Sequence, residues 1–253
     1  MYHRVGRAET SAERRYCVSP TRFRDHMHAL RDAGYQAISL PAFVAWSRGE
    51  SSLPERSLLL TFDDGFMGVH DDAAPLFESL GWPATMFLVS SLIGGTDTWG
   101  TNEAQRRRRS YPLLGWPEIH AMRQGGWSFG SHSRTHADLP TLPDEQLEDQ
   151  LRGSKAELEA GLEQAVDALA YPYGRFDSRV AQAAAAAGYT MAFSTRSGFN
   201  QPRQDAFAIR RIEVAGTDTA GELLRKVQLG MNDVSMASLA RYYATRLLQR
   251  LRP

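Results

Sequence analysis

Ser57 to Phe62 reads SLLLTF, an unbroken apolar run of strand length, and a strand with no polar face has to be covered on both sides. Parallel sheets flanked by helices meet that requirement, and the sequence around the run supplies both kinds of element in alternation. Ser19 is placed to cap a helix with Pro20 at its first position, and Phe23, Met27 and Leu30 recur at helical spacing until Gly34 ends it. Tyr35 to Leu40 reads as a strand, Pro41 to Trp46 as a short helix, Asp72 to Leu80 as a helix and Ala84 to Val89 as a strand. A helix over Pro117–Arg123 and a short strand over Trp127–Gly130 follow.

Asp144 to about Ala165 reads as a helix with Leu147, Leu151, Leu158 and Leu162 on one face and Thr141 placed to cap it. Strand Ala168–Tyr171, helix Ser178–Ala187 and strands Tyr189–Ser194 and Phe207–Val214 complete the pattern. Seven or so such units predict a closed or nearly closed (β/α) barrel, with a doubly wound open sheet as the alternative. Residues 1–218 would form the barrel and 219–253 a helical extension packed on it, the apolar side of Met236–Leu251 facing inward. The long polar stretch Gly94–Gly115 reads as a loop, and Arg106 to Arg109 within it as a solvated charge run.

The 253 residues are 42% hydrophobic, enough for a full core, and 29 basic residues balance 29 acidic ones. That balance leaves no global field to attract nucleic acid or anionic lipid. Cys17 is the only cysteine, so a metal would have to sit on histidine and carboxylate. No stretch approaches the length of a transmembrane span and no signal peptide is visible. As written the product is expected in the cytoplasm, and a start lying upstream would hide a longer first strand and an export signal.

Three polar clusters fall where strands give out. Thr61 to Gly65 is TFDDG, Ser131 to His136 is SHSRTH, and Ala170 to Gly174 is AYPYG. In barrels the C-terminal strand ends form the active-site face. Singly each cluster reads as a polar turn or a surface loop, but turn chemistry does not account for all three at equivalent positions. A hydrolytic metal site needs about three protein ligands and an open position for water. The spacing of His132 and His136 can aim two imidazoles at one point, and Asp64 supplies a carboxylate from a neighbouring strand end. Asp63 is then left ionised for a separate task, general base catalysis.

TFDDG, HSRTH and YPYG in this order resemble the polysaccharide deacetylase family, carbohydrate esterase family four, from MYHRV to the strand at Ala208. The resemblance implies a distorted (β/α)7 barrel and a hydrolase that removes N-acetyl groups from amino sugars of a polysaccharide or glycoconjugate. It also implies Asp63 as general base and Asp64, His132 and His136 as ligands of a divalent metal, Zn²⁺ first, with Ni²⁺, Co²⁺ or Mn²⁺ as alternatives. The backbone N–H of Tyr173 would face the oxyanion. Two features depart from the family pattern. The late general-acid histidine is absent, since none of the seven histidines follows His136.

A branch of the family acting on exopolysaccharides opens with a Tyr-His pair as this chain does, which points to His3 as the acid. His26, His28, His70 and His120 are expected at the surface. The arginine that in many members precedes the PYG motif and holds the catalytic Asp is also missing. Of the substitutes Arg210 and Arg211 in AIRRIEV, Arg211 shares a strand face with Ile209 and Glu213 and is expected to reach inward. Two other readings compete: a small-molecule amidase or deformylase on the same centre, and a non-catalytic carbohydrate-binding module. A module of that kind would normally have lost a ligand or the base.

Overall fold

The computed structural model describes residues 1–99 and 110–250, so Arg106 to Arg109 lie outside the described residues. Two short parallel pairs come first: β1 (Arg4–Val5) with β2 (Cys17–Val18), and β3 (Gln36–Ala37) with β4 (Ser57–Leu58). The main sheet has five parallel strands in sequence order: β5 (Thr61–Phe62), β6 (Thr85–Leu88), β7 (Ser128–Ser131), β8 (Ala168–Ala170) and β9 (Met191–Phe193). Helices Pro20–Asp32, Ala74–Leu80, Trp116–Gln124, Ser154–Leu162 and Ser178–Ala186 lie between strands, as βαβ connections require.

Two further staves extend this sheet toward a ring. Tyr2 makes a parallel bridge to Phe62 beside β5, and Ile209 makes one to Phe193 beside β9. Between these staves Val214 N–H donates to the carbonyl of Met1 at 3.0 Å, and the Met1 amine donates to that of Ile212 at 2.9 Å. The result is an α/β fold with a curled parallel sheet, closed by a few hydrogen bonds where a regular barrel would have full ladders. Inside the helical layer, Phe62 is fully buried and its ring lies 5.2–5.9 Å from those of Tyr2, Phe23, Phe77 and Trp127.

Several elements differ from the sequence reading. SLLLTF is divided, with Leu58 paired to β3 and Thr61 to β6, so one apolar run serves two sheets. The expected strand Phe207–Val214 makes only the Ile209 bridge, because Arg210 N–H bonds to the Asn200 side chain and Arg211 N–H to the carbonyl of Arg196. The helix expected from Asp144 ends at Leu162 and contains a π-type turn over Asp149–Gly153. Thr141 does not cap it; Pro143 occupies the cap position and the Thr141 hydroxyl donates to the carbonyl of Asp138.

His26, expected at the surface, is fully buried. On the helix Pro20–Asp32 it is flanked by the core residues Phe23, Met27 and Leu30, and polar partners satisfy both ring nitrogens. The carbonyl of Asp218 can only accept, so Nε2 is the protonated nitrogen, 2.8 Å away, and Nδ1 accepts from the Tyr2 hydroxyl at 3.3 Å. Lys226 bonds Asp218 in turn, and Leu223 and Val227 of the helix Ala220–Leu229 join the main core. The first residues of the extension are thus packed into the same body as the closing stave. No helix among the described residues is long and apolar enough to cross a membrane.

Burial holds the His26 imidazole below its ordinary value, favouring the neutral form. The unfolded chain therefore binds more protons than the folded one as pH falls below about 6.5, and stability declines in that window. We expect melting curves at pH 7.5 and 5.0 to show a larger loss for the native chain than for His26→Gln, which has no such proton to take up.

Candidate active site

The three polar clusters converge at the C-terminal end of the sheet. Asp63 and Asp64 follow β5, His132 follows β7, and the turn Pro172–Gly174 follows β8. His132 N–H donates to the carbonyl of Leu88 at 2.7 Å, which carries the ladder one step past β7 and fixes where its side chain leaves the sheet. The His132–His136 loop is held against the end of β6 by Ser90 N–H on the carbonyl of Ser133 and Ser91 N–H on that of Arg134.

Among the described residues, seven other than glycine have positive φ, and four of these are Asp64, Ser133, His136 and Tyr173. Such conformations cost about 1–3 kcal/mol each and persist only where the surroundings over-determine them. Their concentration in the three clusters marks this rim as the place where backbone strain is spent on side-chain direction. Gly174 follows Tyr173 with φ +67, and a Cβ there would lie 2.1 Å from the Thr195 hydroxyl, so the turn accepts no other residue without rearrangement.

Asp64, His132 and His136 are all buried, and each offers one donor atom, the three lying within 4.8 Å of one another. Asp64 Oδ1 is 3.5 Å from His132 Nε2 and 3.3 Å from His136 Nε2, yet it has no hydrogen-bond partner. Three donors about 2.0–2.1 Å from one tetrahedral cation would themselves be roughly 3.3 Å apart. The set therefore fits a divalent cation: one carboxylate and two imidazoles converge without bonding to each other. His132 Nδ1–H donates to the carbonyl of Ala170 at 2.8 Å, which leaves the Nε2 lone pair directed at Asp64. Burial pulls this imidazole down to about 4, against the opposing charge of Asp63, so it stays neutral through the neutral pH range. For Asp64 burial acts upward, but the flanking imidazoles outweigh it and the net shift is downward.

Asp63 stands apart from that set. Arg211 grips it with two parallel bonds, Nη1 to Oδ1 at 2.6 Å and Nη2 to Oδ2 at 2.8 Å, while Arg211 Nε donates to the carbonyl of Ser194 at 3.0 Å. Both side chains are almost wholly buried. Burial alone would raise the Asp63 carboxyl, but Arg211 holds it well below the usual carboxylate range. Arg210 points away and bonds the carbonyl of Ser197.

His3 reaches the same rim. Asp63 N–H bonds to the carbonyl of Tyr2 at 3.0 Å, so the two chains leave the sheet side by side. His3 Nδ1 is buried without a hydrogen-bond partner, and its ring meets that of Tyr16 edge-on at 5.1 Å. Tyr173, half exposed, sets its ring edge-on to His136 at 4.6 Å. The sequence reading did not find Trp99, whose ring stacks on that of His136 at 4.5 Å. A tryptophan inside a polar loop was the available signal, but nothing in the sequence tied it to His136.

The profile of the polysaccharide deacetylase family matches residues 50–192, more than half of the chain, and the chain belongs to that family. It is 27% identical to YxkH of Bacillus subtilis (strain 168) over 215 residues, covering 85% of this chain and 70% of the relative. It is 26% identical to the poly-β-1,6-N-acetyl-D-glucosamine N-deacetylase of Staphylococcus epidermidis over 212 residues, covering 79% of this chain and 68% of that one. In fold it is similar to the Streptococcus pyogenes deacetylase PplD, with a TM-score of 0.75 at 24% identity over 90% of this chain and 96% of the other. IcaB from Ammonifex degensii gives 0.76 at 22% identity over 90% and 94%.

The pairing of Arg211 with Asp63 leads to a stability prediction. Arg211→Leu leaves a buried carboxylate without its partner and is expected to cost about 3–5 kcal/mol, whereas replacing both Asp63 and Arg211 by leucine should recover most of that loss. Urea unfolding of the two variants measures both.

Proposed function

We propose that this chain is a metal-dependent N-deacetylase acting on N-acetylglucosamine residues of an exopolysaccharide of the poly-β-1,6-linked type. The observation that carries the reading is the division of labour between adjacent carboxylates. Asp64 converges with two imidazoles, while Asp63 is excluded from that cluster and kept ionised by Arg211. The substrate class follows the Staphylococcus epidermidis relative, which carries that activity in its name and aligns over most of both chains.

Asp64, His132 and His136 would hold a divalent cation, for which zinc suits the imidazole-rich set. When bound, such a cation lowers the pKa of water and polarises an acyl carbonyl. Asp63 takes the proton of the attacking water, with Arg211 fixing which carboxylate lone pairs remain available. The left-handed turn at Tyr173 presents its backbone N–H to the carbonyl oxygen as negative charge develops there. His3 gives a proton to the nitrogen that departs. Its place at the end of the segment that pairs with the Asp63 backbone and its unpartnered Nδ1 support that role.

The function is tested by acetate release from β-1,6-linked N-acetylglucosamine oligomers with and without chelator. Release is expected with zinc restored and none after its removal; undiminished release from metal-free protein would overturn the reading. His132→Ala should lose the metal, while Asp63→Asn should keep it and fall in turnover by about 10²–10⁴-fold.

His3→Ala should keep both fold and metal yet lose turnover on N-acetyl substrates. Aryl acetate esters, whose leaving groups need no proton, should be cut nearly as well as by the native chain. Equal amide turnover in the native chain and His3→Ala would remove His3 from the chemistry.

A further inference from the structure

The His132–His136 loop rests on one helix face. Along the π-turn and the helix that follows it, Asp149, Gln150, Gly153, Ser154 and Glu157 all meet residues of the segment Ser131–Thr135. Ser154 Oγ is 2.7 Å from Ser131 Oγ, which in turn accepts from Ser133 N–H. Arg134 donates through Nε to Glu157 at 2.7 Å and through Nη1 to Asp149 at 2.9 and 3.0 Å. Gly153 lets the Arg134 stem lie against the helix, since a Cβ there would be 3.0 Å from Arg134 Cδ. Gln150 is nearly buried, and its Oε1 accepts from both Thr135 N–H at 2.9 Å and Thr135 Oγ1 at 3.1 Å.

Thr135 immediately precedes His136, and the loop carries its two left-handed residues at Ser133 and His136, on either side of the Arg134–Thr135 peptide. A loop with two unfavourable conformations relaxes unless its peptide planes are tied from outside. The carbonyl of Arg134 is tied by Ser91, and the amide of Thr135 by Gln150. A π-turn adds a residue to the helical repeat and is frequent at functional sites; here it spans the stretch that carries Gln150.

We infer that Gln150 is a positioning residue for the cation site: by holding the Thr135 amide it fixes the backbone from which His136 reaches Asp64. The inference rests on the metal-site reading above and goes beyond it, because Gln150 touches none of the proposed ligands through its own side chain contacts with Thr135. Removing its acceptor leaves this peptide tied only at its carbonyl, by Ser91, and the His136 amide only to the Ser133 hydroxyl within the loop, so His136 is held less firmly while Asp64 and His132, which follow β5 and β7, keep their places.

Cobalt(II) titration of metal-free protein, followed by its visible absorption and by competition with a chelator, separates the possibilities. Gln150→Leu is expected to weaken cobalt binding by about 10–100-fold, the range typical of residues that support metal ligands, with an altered absorption spectrum. Gln150→Glu, which retains an acceptor oxygen at the same reach, should bind within about threefold of the native chain. If Gln150→Leu proves unable to fold, Gln150→Asn, one methylene too short, is expected to bind about tenfold more weakly. Native-like affinity and spectrum in Gln150→Leu, or in Gln150→Asn where that variant decides, would overturn the inference, as would equal loss in Gln150→Glu. Cobalt binding by the native chain that His136→Ala abolishes keeps the metal-site reading standing whichever way Gln150 falls. Absence of binding by the native chain, or its survival in His136→Ala, sinks the metal-site reading and the inference with it.

Discussion

The buried ion pair between Asp63 and Arg211 ties together the two sides of an incompletely closed sheet. Asp63 leaves β5 and Arg211 belongs to the irregular stave beside β9, with only the short segment at Met1 and Tyr2 between them. Few backbone hydrogen bonds join these staves, so a two-pronged, desolvated contact carries an unusual share of the closure. Burying both charges is costly unless each is fully satisfied, and Arg211 meets that condition with its third contact, to the carbonyl of Ser194. The Arg211 contact also keeps the Asp63 carboxylate ionised next in sequence to Asp64, a member of the Asp64–His132–His136 cluster. Architecture and chemistry therefore draw on one pair of residues.

Around that pair, the site is built from strained backbone held by rigid neighbours. Asp64, His136 and Tyr173 all adopt left-handed conformations, and the ring of His136 stacks on Trp99 and meets Tyr173 edge-on. These two aromatic contacts limit the rotation of the His136 ring, while a carbonyl bond limits that of His132. Preorganisation of this kind matters because a ligand or base displaced by an ångström loses much of its effect.

Much of this was readable in the sequence. The three motifs were legible because each joined a chemically distinctive cluster to the end of an apolar run, and strand ends in a parallel barrel share a rim. Arg211 came from the family resemblance, which called for an arginine beside the catalytic Asp, and from alternation, which let only one of two neighbouring arginines face inward; the pairing with Asp63 matches that choice although the segment is not a regular strand. The strand expected at Phe207–Val214 was not, because its hydrogen bonds go to Asn200 and Arg196 in a preceding loop, and propensity does not reveal such partners. His26 carried a readable signal: three residues after Phe23 and four before Leu30, it lies on the apolar stripe. Trp99 stood out only as a tryptophan in a polar loop and the π-turn not at all, for their roles arise from tertiary contact.

The strand order has a consequence for how the molecule is made. Neighbours in the five-stranded sheet are neighbours in sequence, so β5 to β9 can assemble progressively as the chain emerges. The closing bonds are of another kind: Met1 meets Ile212 across 211 residues, and Asp63 meets Arg211 across 148. Contacts of such long range require the loop-closure entropy to be offset first and so form late. Asp64, His132 and His136 come together with the early sheet, whereas Arg211, the partner of Asp63, arrives with the last stave. A nascent chain can thus bring Asp64 together with His132 and His136 before Asp63 has its guanidinium, and the rim is complete only once the ring has shut.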